Sequence, residues 1–332
     1  MGKTVRFFVI LCLSIIIACM TLWAALAIFY SNLAEETLRT NIAIGFAVGT
    51  AAAFLFIKKR LQVLIGYLIV FCLIVAWWMN IKPSNDRDWQ PDVAVLPYAT
   101  IQDNQITIHN IRNLTYRTET DFDSHYYDKT FDLKALDSVD LIAVYWMGDA
   151  IAHIMMSFGF QEEDFVVFSI ETRKEKGEGY STIKGFFKQY ELIYIAGDER
   201  DLIRVRTDYR NPQEDVYLYR LNINRERAEK LFMAYIRQIN EMKKRPVWYN
   251  TLTTNCTTNI VMHIKTFSDR IHYSWKILLS GYGPQYAYER GTLDSNIPFA
   301  ELRQRSYINP RAHVIGNDPE FSRKIRVGLP RP

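Results

Sequence analysis

Cysteine is scarce in this chain and unevenly placed. Cys12, Cys19 and Cys72 fall in hydrophobic runs, and Cys256 is the only cysteine beyond residue 80. A lone cysteine in a folded domain has no partner for an intramolecular disulfide. An excess of one charge is also missing. The 40 Lys and Arg residues face 36 Asp and Glu residues, and beyond residue 85 the two signs are interspersed. That pattern gives no basic stripe, so no nucleic-acid partner is expected. The chain contains no HExxH, CxxC, P-loop or Rossmann glycine pattern. Its six histidines, His109, His125, His153, His263, His272 and His313, are scattered with no ligand-spaced pair. Neither a metal nor a cofactor is expected. There are no repeats and no low-complexity tracts.

What the chain does have is an apolar first quarter. Phe7–Tyr30 runs for about two dozen residues without a charge, long enough to cross a hydrocarbon core as a helix. Residues 41–57 form a second, Ala- and Gly-rich run, and residues 63–79 a third ending in Trp77 and Trp78, which suit an aromatic belt. A cleaved signal peptide is the alternative for the first run. Its apolar core would be unusually long, and no small-residue cleavage site leads into a polar mature start. Three spans are expected. Lys3 and Arg6 precede the first and Lys58, Lys59 and Arg60 separate the second from the third, whereas the intervening loop carries Glu35 and Glu36. The positive-inside rule puts the N-terminus in the cytoplasm and exports everything after about residue 81. The expected location is a bacterial inner membrane, multi-pass, with a periplasmic C-terminal domain.

After a linker and the start of the exported domain (81–109), residues 93–111 read as short extended pieces with a turn at Asp103-Asn104. Strands are expected at 139–147, 151–160, 165–173, 192–196 and 216–221, the second and third joined by the acidic turn 161–164. Asn224 to Lys243 reads as a helix with Ala228, Leu231, Phe232, Tyr235, Ile236 and Ile239 as its stripe, ended by Pro246. A second helix opens at Cys256, with Ile260, Ile264, Phe267 and Ile271 on one face and Asn255 or Thr254 as cap. Residues 281–288 read as a Gly/Tyr-rich loop, and residues 303–332 as a polar, poorly patterned tail. The expected fold class is α+β: a three-helix membrane anchor, then an antiparallel sheet with packed helices.

Cys256 is the candidate nucleophile. A thiol at a helix N-terminus lies in the positive end of the macrodipole, which favours thiolate, and free N–H groups there can hold an oxyanion. The competing reading is a small buried hydrophobe, but an unpaired exported thiol is a liability unless it acts. His263 lies seven residues on, about 10 Å along the axis, too far for direct proton transfer. His153 is a polar intruder in an apolar strand and is the candidate general base. The next strand presents Ser169, Glu171 and Arg173 on one face. If 153 pairs near 171, Glu171 orients the imidazole; a one-residue register change would present Thr172. Asn255, Thr257, Ser169, Tyr249 and Tyr282 are candidate site-lining residues. The Tyr282–Tyr288 stretch lines a groove or is ordinary aromatic packing.

These residues carry a resemblance. Residues 110–302 resemble the Lnb-type periplasmic domain of Gram-negative bacteria through Asn113-Leu114-Thr115-Tyr116-Arg117, Ala152-His153-Ile154, Ser169-Ile170-Glu171-Thr172-Arg173, Tyr190-Glu191-Leu192-Ile193-Tyr194 and Tyr249 to Thr258. The order of histidine on a strand before a helix-opening cysteine is also similar to circularly permuted papain-like enzymes, including the NlpC-type and lecithin:retinol acyltransferase groups. The resemblance implies thiol catalysis through an acyl-enzyme. It implies Cys256 as nucleophile, His153 as base and Glu171 as orienter, with an acyl chain moved from phospholipid to a lipoprotein amine. The partners so implied are the membrane, phospholipid and a lipoprotein or peptide. This chain differs from longer members in having its spans at the N-terminus and no extended C-terminal membrane region, which bears on the substrate more than on the chemistry. A cysteine amidase or peptidase of the envelope would use the same residues with water as acceptor, and a non-catalytic exported binding domain would bury them.

Overall fold

The computed structural model describes residues 2–33, 35–268, 271–272 and 274–332. They form two compact units, one of residues 1–84 with 180–190 and one of residues 85–179 with 191–332. The first holds α1 (Lys3–Phe29), α2 (Glu36–Phe56) and α3 (Arg60–Met79), each long and apolar enough to cross a membrane. Their outward apolar side chains are exposed, as lipid-facing positions must be. Within this unit the hydroxyl of Tyr67 on α3 accepts from Thr21 of α1 at 3.1 Å. Residues 180–190, which the sequence does not mark as part of this unit, close the open ends of the helices. The Lys188 ammonium donates to the carbonyls of Trp78, Met79 and Ile81 at 2.9–3.2 Å. A cation there neutralises the negative end of α3 and satisfies carbonyls that have no helical partner. Phe187 stacks on Tyr30, ring centroids 5.6 Å apart.

The second unit is built on one sheet. Its strands are β1 (Tyr98–Gln102), β2 (Gln105–Arg112), β5 (Tyr126–Asp132), β6 (Leu136–Tyr145), β7 (Ala152–Phe160), β8 (Asp164–Arg173), β9 (Glu191–Gly197) and β10 (Asp215–Arg220), with β3 (Thr115–Tyr116) and β4 (Phe122–Asp123) as a separate pair. The order is β1-β2-β9-β8-β7-β6-β10, with β5 also on β2. The expected strands are all present within a few residues. Every pairing is antiparallel except β2 with β9, which is parallel through Arg112 and Gly197, so the sheet is mixed rather than purely antiparallel. The β6, β7 and β8 strands are almost continuously buried because helices cover both faces, which removes the alternation of a one-sided sheet.

On one face Phe158, Phe168 and Tyr194 pack against Phe232 and Tyr235 of α5 (Arg225–Lys244). The α6 helix (Cys256–Lys265) lies alongside, its His263 accepting or donating to the Tyr194 hydroxyl at 2.8 Å. The other face carries Ile142, Val144, Met155, Val167, Ile193 and Ile195. They are covered by α4 (Glu199–Leu202), the π-helical turn Val205–Tyr209, and the C-terminal helices α10 (Asn309–Ile315) and α11 (Phe321–Lys324).

Three expectations need correction. The last thirty residues are core rather than tail: Ile308, Ala312, Phe321, Ile325 and Leu329 are buried, and buried Arg326 bonds Asp140 at 2.8 Å and Glu199 at 2.6 and 2.7 Å. The Cys256 helix stops at Lys265, so Phe267 and Ile271 lie past its end, where Thr266 caps it. Residues 281–288 are helical rather than a loop. After α7 (Trp275–Leu278) and a 3-10 turn at 280–282 comes α8 (Gly283–Glu289), with Pro284 in its first turn. Pro is well suited there, its missing N–H being one no helix would use. The α9 helix (Phe299–Ser306) completes the chain between α8 and α10.

Candidate active site

Asn255 begins the site by starting α6. Its side-chain oxygen accepts from the Thr258 N–H at 2.9 Å, the Thr258 hydroxyl accepts from the Asn255 N–H at 2.9 Å, and the Asn255 amide donates to the Thr251 carbonyl at 2.7 Å. This reciprocal capping box fixes the first turn, and with it the position of Cys256. Upstream, Asn250 bridges Thr254 and Trp248 bridges Glu191, and Tyr249 between them is buried.

The thiol of Cys256 is held by backbone. The N–H groups of Ile154, Thr257 and Cys256 itself face the sulfur and favour its ionised form, and the Thr257 hydroxyl lies 3.8 Å away. Burial nevertheless pushes its pKa up from the ordinary thiol value, outweighing these donors. The helix terminus alone would favour thiolate; desolvation of the anion wins instead. Cys256 rests as a neutral thiol.

Ile154 is the residue after His153, so β7 connects the two candidates, with the His153 side chain on the sheet face of Met155, Ser169 and Arg206 and α6 on the other. The β7–β8 ladder pairs Met155 with Ser169, and continuing that register sets His153 opposite Glu171. The contact is nevertheless indirect. The His153 Nε2 is 2.7 Å from the Ser169 hydroxyl, which donates to Glu171 Oε1 at 2.6 Å, whereas Nε2 and Oε1 are 3.7 Å apart. Arg206, almost wholly buried on the π-helical turn, donates to the same carboxylate oxygen at 2.8 Å and to the Leu202 carbonyl.

This chain of bonds fixes a tautomer. An ionised carboxylate only accepts, so the single Ser169 proton points at Glu171. Ser169 must then accept from His153, which places the ring proton on Nε2 and leaves the Nδ1 lone pair free. The Glu171 carboxyl is held well below its ordinary range; burial opposes this, and Arg206 and His153 overcome it. His153 is pushed down to about 3, by burial first and by Arg206 second. The imidazole is therefore neutral at physiological pH. Among the described residues no hydrogen bond joins His153 to Cys256; their link is the Ile154 backbone.

The remaining candidates fall as follows. Thr257 is buried against the thiol. Tyr282 packs edge-on to Trp275, centroids 5.0 Å apart. His263 is buried on Tyr194 and Tyr235, and burial holds its pKa down to about 4. Two contributors were not read from the sequence: the Ile154 N–H and Arg206. Arg206 sits in the polar run Arg204–Arg210, which looks like surface, and nothing local in that run marks one arginine as buried.

Residues 122–281, which run from β4 into the 3-10 turn before α8 and include Cys256, His153, Ser169, Glu171 and Arg206, match the family model described as the Lnb N-terminal periplasmic domain. This bears out the resemblance read from the sequence. With the three apolar helices, it describes a membrane protein with a periplasmic domain. Neither the curated proteins nor the solved structures contain a match to the chain.

Proposed function

We propose that this chain, carrying an Lnb-type periplasmic domain, is a membrane-anchored cysteine acyltransferase of the bacterial inner membrane. The observation that carries the reading is the junction at Ile154. A lone thiol at a capped helix start is faced by the N–H of the strand residue that follows a neutral, tautomer-fixed histidine. In this reading Cys256 gives up its proton to Nδ1 of His153, the ring nitrogen that the Ser169 bond leaves free. The thiolate attacks the carbonyl carbon of a phospholipid ester. The oxyanion is held by the Cys256 and Thr257 N–H groups, which the α6 ladder leaves unused. Collapse breaks the C–O bond, and the lysophospholipid leaves with the proton from His153. An amine, such as a lipoprotein N-terminus, then attacks the thioester. A C–N bond forms, the C–S bond breaks, and the thiol is restored. Ser169 and Glu171 hold the imidazole and balance its charge when it is protonated.

The test is the intact mass of the full chain after incubation with phospholipid vesicles, before and after hydroxylamine. The expected result is an acyl adduct that hydroxylamine removes and that Cys256→Ser does not form. An adduct that water discharges as fast with or without amine would redirect the reading to a hydrolase. A second reading, a non-catalytic binding domain, is favoured by the neutral thiol and its missing bond to His153. It predicts no adduct and no labelling of Cys256 by a small thiol reagent at neutral pH.

A further inference from the structure

An internal cavity of about 480 Å³ lies between the sheet and helices α5, α6 and α8. Its walls are apolar: Met156, Leu231, Ile260, Ile264, Ile277 and Tyr286 contribute to them. Ile154 and Thr257 also line it, and these are two of the three residues whose N–H groups face the Cys256 thiol. Cys256 does not itself line the cavity, which ends against Thr257, whose hydroxyl is 3.8 Å from the sulfur. The charged groups in its wall are Arg227, which is half-buried, and the exposed His272, Glu289 and Arg290. Exposure puts the last three at the rim, and Arg227 is the one half-buried charge among the described residues of the wall.

We infer that this cavity receives one linear acyl chain, the chain carried on Cys256 as a thioester; the inference rests on the acyl-transfer reading above. A polar substrate, such as a peptide or a cell-wall sugar, would leave its donors and acceptors unpaired against Ile154, Met156 and Ile260. An alkyl chain has nothing to leave unpaired. The size also fits: at roughly 30 Å³ for a water-sized group, which is close to a methylene, 480 Å³ accommodates about sixteen such groups. Ala287 lines the wall contributed by α8, and Val261 lines the wall on α6.

The inference is tested without any acyl donor, on the full chain in a non-ionic detergent. Alkyl methanethiosulfonates from methyl to octyl transfer R–S to the Cys256 sulfur, forming a disulfide and releasing methanesulfinate. Labelling is read on the Cys256 peptide, apart from Cys12, Cys19 and Cys72, with each rate divided by that of free cysteine. Burying a methylene is worth up to about fourfold, and the expected gain from methyl to octyl is at least tenfold. Ala287→Trp fills the cavity and should abolish that gain while leaving methyl labelling within twofold; Val261→Phe serves where the tryptophan variant does not fold. Equal normalised rates for methyl and octyl, or a gain that survives both variants, would overturn the cavity assignment and leave the nucleophile standing. No labelling of Cys256 by any reagent would overturn both.

Discussion

Ser169→Ala isolates the link on which the proton geometry depends. Ser169 is completely buried and, among the described residues, bridges the 3.7 Å between His153 Nε2 and Glu171 Oε1 alone. Removing its hydroxyl leaves the ring N–H without an acceptor in a buried place, which costs about 1–3 kcal/mol. Glu171 keeps its bond from Arg206 at 2.8 Å, so no buried carboxylate is left unpaired and the sheet stays folded. With Nε2 unheld, the imidazole can place its proton on Nδ1 instead, the nitrogen that must be free to take the thiol proton. Charged entirely to the reacting state, the lost bond lowers the single-turnover rate of Cys256 acylation by about 5- to 150-fold, a conversion at 1.36 kcal/mol per tenfold. The assay is the time course of the acyl adduct by intact mass, with thermal melting as the control for folding. A variant that acylates at the wild-type rate and melts normally would refute the Ser169 relay. It would leave Glu171 acting through some other contact or not at all.

Asn255→Ala removes the side-chain acceptor of the capping box and the amide that holds Thr251. Loss of about 1–2 kcal/mol is expected, read as a lower melting temperature together with slower acylation, because the same turn positions Cys256. Gly281→Ala should be severe: a Cβ there would lie 2.1 Å from the Asp149 carbonyl oxygen, a backbone atom that cannot step aside. Its failure to melt at least several degrees lower would show that the 280–282 turn is free to shift. Stability should fall on acidification. His153 and His263 have folded pKa values near 3 and 4 against an ordinary 6.5, so the unfolded chain binds more protons between those limits. Their contribution is complete above about pH 6.5 and is lost as pH drops toward 3; a melting temperature flat from pH 7 to 4 would contradict it. Arg206→Met leaves Glu171 buried beside a neutral histidine. A loss of about 3–5 kcal/mol is expected, the cost of breaking a buried pair from one side, measured by denaturant unfolding of the full chain.

Much of this arrangement can be read in the sequence, because local patterns carry it. The strand and helix runs are bounded by clear turn and cap residues, and the hairpin joining β7 to β8 has a length that sets His153 against Glu171. The insertion of Ser169 between them cannot be read from strand alternation. It depends on the ladder ending at Met155, after which the strand ends are no longer held at pairing distance. Arg206 is non-local, and its burial is decided by a turn that packs on the opposite sheet face. The C-terminal helices escape pattern reading because α10 and α11 are too short to display a helical period. Each donates only one or two large side chains to the core. Gly283-Pro284 was a usable signal: a proline in a first turn marks a helix start rather than a loop. Past Lys265, Phe267 and Ile271 preserve the helical spacing although the helix has ended, so periodicity alone overran the element.

The thiol of Cys256 is kept protonated by its surroundings, and this bears on survival as well as on reactivity. Peroxides, oxidised small thiols and disulfide-forming catalysts attack or are attacked by thiolate, and a neutral, half-buried thiol reacts with them slowly. A single cysteine facing the oxidising side of a membrane would otherwise drift toward mixed disulfides or sulfenic acid during the life of the protein. In the proposed mechanism, deprotonation tied to the arrival of a substrate would confine the reactive form to the brief interval in which an ester carbonyl already occupies the space an oxidant would need.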